Sequence, residues 1–223
     1  MRIATSLLAA TAMSLAALMP VPVTAQTALC NGPCLLTGGE RGDYYQYFAP
    51  PLSKLLQKAW ADAPIATSPG APASLAWVEG HPDSYALIQG DVLARVLKDA
   101  AVAGKIKVIR SSGIGNEAVF AIMNDKIFER SSGSWGAVVR HAKQVRFATA
   151  SRESGPGATM QALQALDPDN LGKANVTYHA SMDAAIKAVE NGEQDVALMV
   201  QFANPENPRF QAIKAAHLHF APC

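Results

Sequence analysis

Short apolar runs alternate with amphipathic stretches along nearly the whole chain, and this alternation constrains the fold more than any other feature. The spacing predicts strands at Leu35–Thr37, Ile65–Thr67, Tyr85–Ile88, Ile106–Ile109, Val119–Met123, Val145–Thr149, Val176–Tyr178, Val196–Val200 and Leu218–Phe220. Between them it predicts helices at Pro51–Trp60, Pro72–Glu79, Val92–Ala103, Trp135–His141, Ala158–Ala165, Met182–Asn191 and about Pro208–Lys214. Pro51 and Pro72 suit a first helical turn, where a missing N–H is harmless. Asp91 and Ser181 are placed to cap the helices that begin beside them, and Asn191-Gly192 to end one. Strands and helices in this order imply an α/β fold with mainly parallel sheets and flanking helices. Ligands in such folds sit beyond the carboxyl ends of the strands.

Two of the strand-to-helix turns are rich in glycine. The first is Thr37–Tyr45, TGGERGDYY, and the second is Ser151–Thr159, SRESGPGAT. Backbone N–H groups at the start of a helix attract anions, so Gly38, Gly39, Tyr44 and Tyr45 on one side form a candidate binding wall. Ser154, Gly155, Gly157 and Thr159 form the other, with Arg152 able to add charge. Two such loops about 110 residues apart suggest two lobes closing on one small molecule, with a hinge at Ser111–Asn116. Gln89, at a strand end facing the expected cleft, would add a directional hydrogen bond.

Residues 1–25 carry one charge, Arg2, then a short apolar segment and small residues at Val23-Thr24-Ala25. This is the pattern of a secretory leader cleaved after Ala25. Setting Arg2 aside leaves 18 basic against 18 acidic side chains. That balance argues against a nucleic-acid or membrane-surface partner. Export makes one disulfide expected among Cys30, Cys34 and Cys223, with its connectivity open. The chain has no Gly-Lys-Ser/Thr phosphate loop, no G-x-S-x-G elbow and no H-E-x-x-H. His217 and His219 would share a strand face but have no evident third metal ligand. An enzyme on this scaffold would need Glu153 or His179 turned into the cleft.

Taken in order, the segments TGGERGDYYQYFAPPLSKLLQKAW, ATSPGAPASLAWVEGHPDSYALIQGDVLARV, SRESGPGATMQALQAL and MDAAIKAVENGEQDVALMV resemble the TAXI class of TRAP-transporter solute receptors. The resemblance implies a two-lobed, type II periplasmic-binding-protein-like molecule that needs no cofactor and no metal. It would be exported to the periplasm, where it would capture a small anionic organic solute (a carboxylate or amino acid) for the membrane subunits of a transporter. By position it implies that Gly38, Gly39, Tyr44, Tyr45, Gln89, Ser154, Gly155 and Gly157 line the cleft. The expected organisation is a leader at 1–25, a first lobe at 26–113, a second at 114–204, and a segment 205–223 returning towards the first. The rival reading is a sensory or protein-interaction module on the same scaffold.

Overall fold

The computed structural model describes residues 29–39, 42, 44–58, 64–109 and 115–223. The expected leader, Glu40, Arg41 and Asp43 of the first glycine-rich loop, Trp60, and most of the expected hinge lie outside these residues. Among the described residues no helix is long and apolar enough to cross a membrane.

The first lobe is built on β1 (Leu35–Leu36), which lies between β2 (Ile65–Ala66) and β3 (Tyr85–Ala86) and runs parallel to both. Each strand feeds a helix. A π-helical turn at Tyr44–Phe48 runs into α1 (Ala49–Leu56), whose prolines fall in its first turn. Lacking N–H groups, they cannot continue the hydrogen-bond ladder from the π-helical turn, and α1 restarts it beyond them. β2 leads to α2 (Ala71–Gly80) and β3 to α3 (Gly90–Val96). The single helix expected over Val92–Ala103 breaks, and α4 (Ala100–Ala103) begins afresh because the Asp99 side chain accepts from the Ala101 N–H at 2.9 Å. Aspartate favours such a cap over a helix interior. The strand expected at Ile106–Ile109 does not form. A Cys30–Cys34 disulfide closes the start of this lobe, and Cys223 is free.

The second lobe holds a five-stranded sheet in the order β6-β5-β7-β4-β8. β5 (Arg146–Thr149) runs parallel to β6 (Asn175–Tyr178) and β7 (Val196–Phe202), which repeats the arrangement of β1, β2 and β3. β4 (Glu117–Met123) is antiparallel to β7 and to β8 (His219–Pro222), so this sheet is mixed. The segment expected to return to the first lobe therefore completes the second: α9 (Pro208–Ala215) delivers β8 to its edge. Four further helices flank the sheet: α5 (Asp125–Ser131), α6 (Trp135–Arg140), α7 (Gly155–Leu166) and α8 (Met182–Glu190). α5 was not expected from the sequence; the Asn124 side chain caps it by accepting from the Ile127 N–H at 3.0 Å.

Alternation along β4 and β7 divides the core between the two faces of the sheet. Ala121, Met123, Val196 and Leu198 pack with Phe147 and Met160 on one face. Ile122, Ala197 and Met199 pack with Ala185, Ile186 and Ile213 on the other.

At the sheet's end, Asp195 accepts three hydrogen bonds from Arg146: backbone N–H at 2.9 Å, Nε at 3.1 Å and Nη2 at 2.8 Å. Burial by itself would raise the Asp195 carboxyl, but the Arg146 hydrogen bonds and charge outweigh it and hold the group below its ordinary value of 3.8. A depressed carboxylate stabilises the fold fully above the unfolded value and loses that contribution as pH falls through the folded one. Asp195→Asn is thus expected to cost about 1–2 kcal/mol at neutral pH, between an exposed pair and a buried charged hydrogen bond. In urea titrations the gap between the variant and the parent should narrow as pH drops below 3.8.

Candidate functional site

The carboxyl ends of both sheets face one cavity of about 390 Å³. The first lobe contributes Gly38, Gly39 and Tyr44 after β1, Ser68 and Gly70 after β2, and Gln89 after β3. The second contributes Ser151, Ser154 and Gly155 after β5, Ser181 and Asp183 after β6, Gln201 at the end of β7, and Arg209 in α9. Gly70, Ser154 and Ser181 are the N-cap positions of α2, α7 and α8. Three helix N-termini thus border the same space, and their partial positive charges add there.

The second glycine-rich loop owes its shape to Ser154. Its hydroxyl donates to the Ser151 carbonyl at 2.6 Å and accepts from the Gly157 N–H at 3.1 Å. A Cβ on Gly157 would lie 2.0 Å from the Ser151 carbonyl oxygen, so the turn has no room for a side chain there. Gly157 is accordingly buried beneath the loop rather than lining the cavity.

Thr159 also lies outside the cavity wall. Its hydroxyl donates to Asp91 Oδ2 at 2.7 Å, across the junction between the lobes. Asp91 is correspondingly not the cap of α3; that position is Gln89, and the helix begins at Gly90. Around this bond Ala158 of α7 packs with Ala71, Leu75 and Val92 of the first lobe. Gly70, at φ +154°, permits the approach: a Cβ there would sit 2.5 Å from Ser154 Cα. The Gln89 amide occupies the space that a Gly155 side chain would need.

At the opposite side Tyr44 spans the lobes. Its hydroxyl donates to Glu117 Oε2 at 3.0 Å, and its ring meets Phe202 edge-on at 5.5 Å. Phe48 packs on the same Phe202 ring at 5.0 Å. Burial, with the Glu117 charge adding to it, pushes the Tyr44 phenol well above the tyrosine range, so it remains a donor. Tyr45 is partly buried and does not line the cavity, and Arg152 stacks on the Tyr178 ring at 4.0 Å instead of entering the cleft. Glu153 and His179 are outside the walls as well.

The sequence reading missed the polar cluster at the floor of the second lobe. Arg209 Nε donates to Asp183 Oδ1 at 3.0 Å, and its Nη1 to Gln201 Oε1 at 3.4 Å. The Arg209 side chain is 11% exposed, while that of Asp183 is 37% exposed. The findable signals were local. Gln201 is the single polar residue of the apolar run Val196–Phe202, and Arg209 follows an Asn-Pro helix start at Asn207-Pro208.

No protein-family model and no curated protein matches the chain. Solved structures do match it. A binding protein component of an ABC phosphonate transporter from Pseudomonas aeruginosa aligns at 15% identity and TM-score 0.54, over 85% of this chain and 64% of its own. An ancestral amino acid-binding protein, described as a precursor of cyclohexadienyl dehydratase, aligns at 12% identity and TM-score 0.51, over 85% and 76%. An amino acid ABC transporter substrate-binding protein from Streptococcus pneumoniae, solved bound to L-arginine, aligns at 12% identity and TM-score 0.50, over 85% and 74%. The fold is that of a type II periplasmic binding protein. The chain spans 64% of the length of the phosphonate-transporter protein.

In this binding-protein fold the Thr159–Asp91 bond joins the lobes through a charged acceptor. Thr159→Val keeps the shape and removes the donor. It is expected to lower stability by about 1.5–3 kcal/mol, read as an earlier urea midpoint with an unchanged slope.

Proposed function

We propose that the chain is an exported solute-binding protein that captures one small anionic organic solute between its two lobes and presents it to the membrane subunits of a transporter. The observation that carries this reading is the convergence of three helix N-termini, from both lobes, on a single cavity of about 390 Å³. That size suits a small organic molecule. The field of the helix ends favours a carboxylate, phosphonate or amino-acid carboxyl group. The Cys30–Cys34 disulfide agrees with an oxidising compartment, and the pattern of residues 1–25 with delivery to the periplasm.

Within that group, the segments 37–60, 66–96, 151–166 and 182–200 favour the TAXI class of TRAP-transporter receptors. The two lobes would follow the boundary expected near residue 114. Capture is by selection of the closed state, because only there do Ser154 and Gly155 face Gly38 and Gly39 across the ligand. No step of catalysis is needed for this role.

Thermal unfolding against carboxylates, amino acids and phosphonates tests the reading. A ligand held at about 100 times its dissociation constant stabilises the native state by about 2.7 kcal/mol. Gly39 supplies the control. It lines the cavity, and a Cβ there meets nothing within 4 Å. Gly39→Trp should keep the unliganded melting temperature and abolish the ligand-induced rise. A folded protein that no member of the panel stabilises would refute solute capture.

A further inference from the structure

Gln201 lies near the end of β7, lines the cavity and is 5% exposed. The two ends of its amide have nearly the same shape and opposite hydrogen-bonding character, so its role depends on which end is held. Arg209 decides this. Its Nη1 donates to Gln201 Oε1 at 3.4 Å, and a guanidinium has no acceptor with which to hold the NH₂ instead. Arg209 is itself fixed from two directions. Its Nε donates to Asp183 Oδ1 at 3.0 Å, and its backbone N–H donates to Asn207 Oδ1 at 2.9 Å in the first turn of α9. The oxygen of Gln201 is thus engaged, and its Nε2 is left buried without a hydrogen-bond partner. A buried N–H without an acceptor is costly, and for a residue of the cavity wall a solute can supply that acceptor. The starts of α2 and α7 meet at Gly70 and Ser154, whereas Gln201 belongs to a separate cluster with α8 and α9. An anionic group at the first place leaves Gln201 to another part of the solute.

We infer that Arg209 fixes Gln201 as a hydrogen-bond donor, and that this pair selects solutes with an acceptor oxygen set apart from the anionic group. Gln201 touches the solute, and Arg209 is a positioning residue that acts through it. A carbonyl oxygen meets the requirement and a methylene at the same place does not. A hydroxyl suits either orientation of the amide, because it both accepts and donates. The inference rests on the solute-binding reading and deepens it.

Calorimetric titration with matched monocarboxylates tests it. The probes are pentanoate with 4-oxopentanoate and 4-hydroxypentanoate, and hexanoate with 4-oxohexanoate, 5-oxohexanoate and 5-hydroxyhexanoate. At one oxo position or more, the oxo acid is expected to bind at least about tenfold tighter than its parent alkanoate, as sites built to hydrogen-bond a group reject analogues lacking it. Gln201→Met, close to the same shape but without the donor, should remove that gain. Arg209→Met frees the amide to turn, and should lower the gain from an oxo group while sparing the gain from a hydroxyl. Arg209→Lys, which again only donates, should restore the preference for the oxo acid; a merely structural role for Arg209 would move all probes together. The inference is overturned if no oxo acid binds tighter than its alkanoate, or if either methionine variant folds and keeps the oxo gain in full. Should one methionine variant not fold, the other and the parent series decide. If the carboxylate, amino-acid and phosphonate panel yields a ligand while the oxo acids gain nothing, solute capture stands and this inference falls. If neither the panel nor these probes bind, solute capture falls as well.

Discussion

The contact between α7 and the first lobe is the constraint on which the cavity depends. Gly70 has no side chain, so the start of α2 can come against the backbone at Ser154. Ala158 then fits among Ala71, Leu75 and Val92, and the Thr159 hydroxyl reaches Asp91. Apolar burial brings the surfaces together without direction, while the close backbone approach and the charged hydrogen bond set the register. With that register, the loop shaped by Ser154 lies opposite Gly38 and Gly39, and the helix ends of both lobes share one space. Tyr44, reaching Glu117 and Phe202, holds the other side.

Much of the architecture was legible because its signals are local. Proline at first-turn positions, the serine cap at Ser181, and apolar strand runs mark elements that neighbouring residues determine. The misses have physical causes. α5 is a two-turn helix whose apolar pair, Ile127 and Phe128, shows too little periodicity to stand out. Ile106–Ile109 has strand composition, but Ile106 packs on the lobe junction and Ile109 is exposed, so no ladder forms. The antiparallel insertion of β4 and the return of β8 to the second sheet depend on pairing between distant segments, which composition does not report.

The site divides along the same line. Gly38, Gly39, Tyr44, Gln89, Ser154 and Gly155 line the cavity because each lies at or just after a strand end, a position that periodicity locates. Gly157 and Thr159 belong to the same motif but face away from the cavity, Gly157 beneath the loop against Ser151 and Thr159 towards Asp91 at the lobe junction. Asp183, Gln201 and Arg209 come from three separate elements and form a cluster only when α8, β7 and α9 pack. The helix ends and this polar cluster thus border one cavity, and the first were far easier to read than the second.

The place of β4 between β7 and β8 in the second sheet bears on how the molecule reaches its folded state. Glu117–Met123 emerges early yet pairs with Val196–Phe202 on one side and with residues up to Pro222 on the other. Long-range pairing of this kind pays loop-closure entropy before it gains contacts, and it slows folding. The second lobe therefore cannot close its core during synthesis until the last described strand is available.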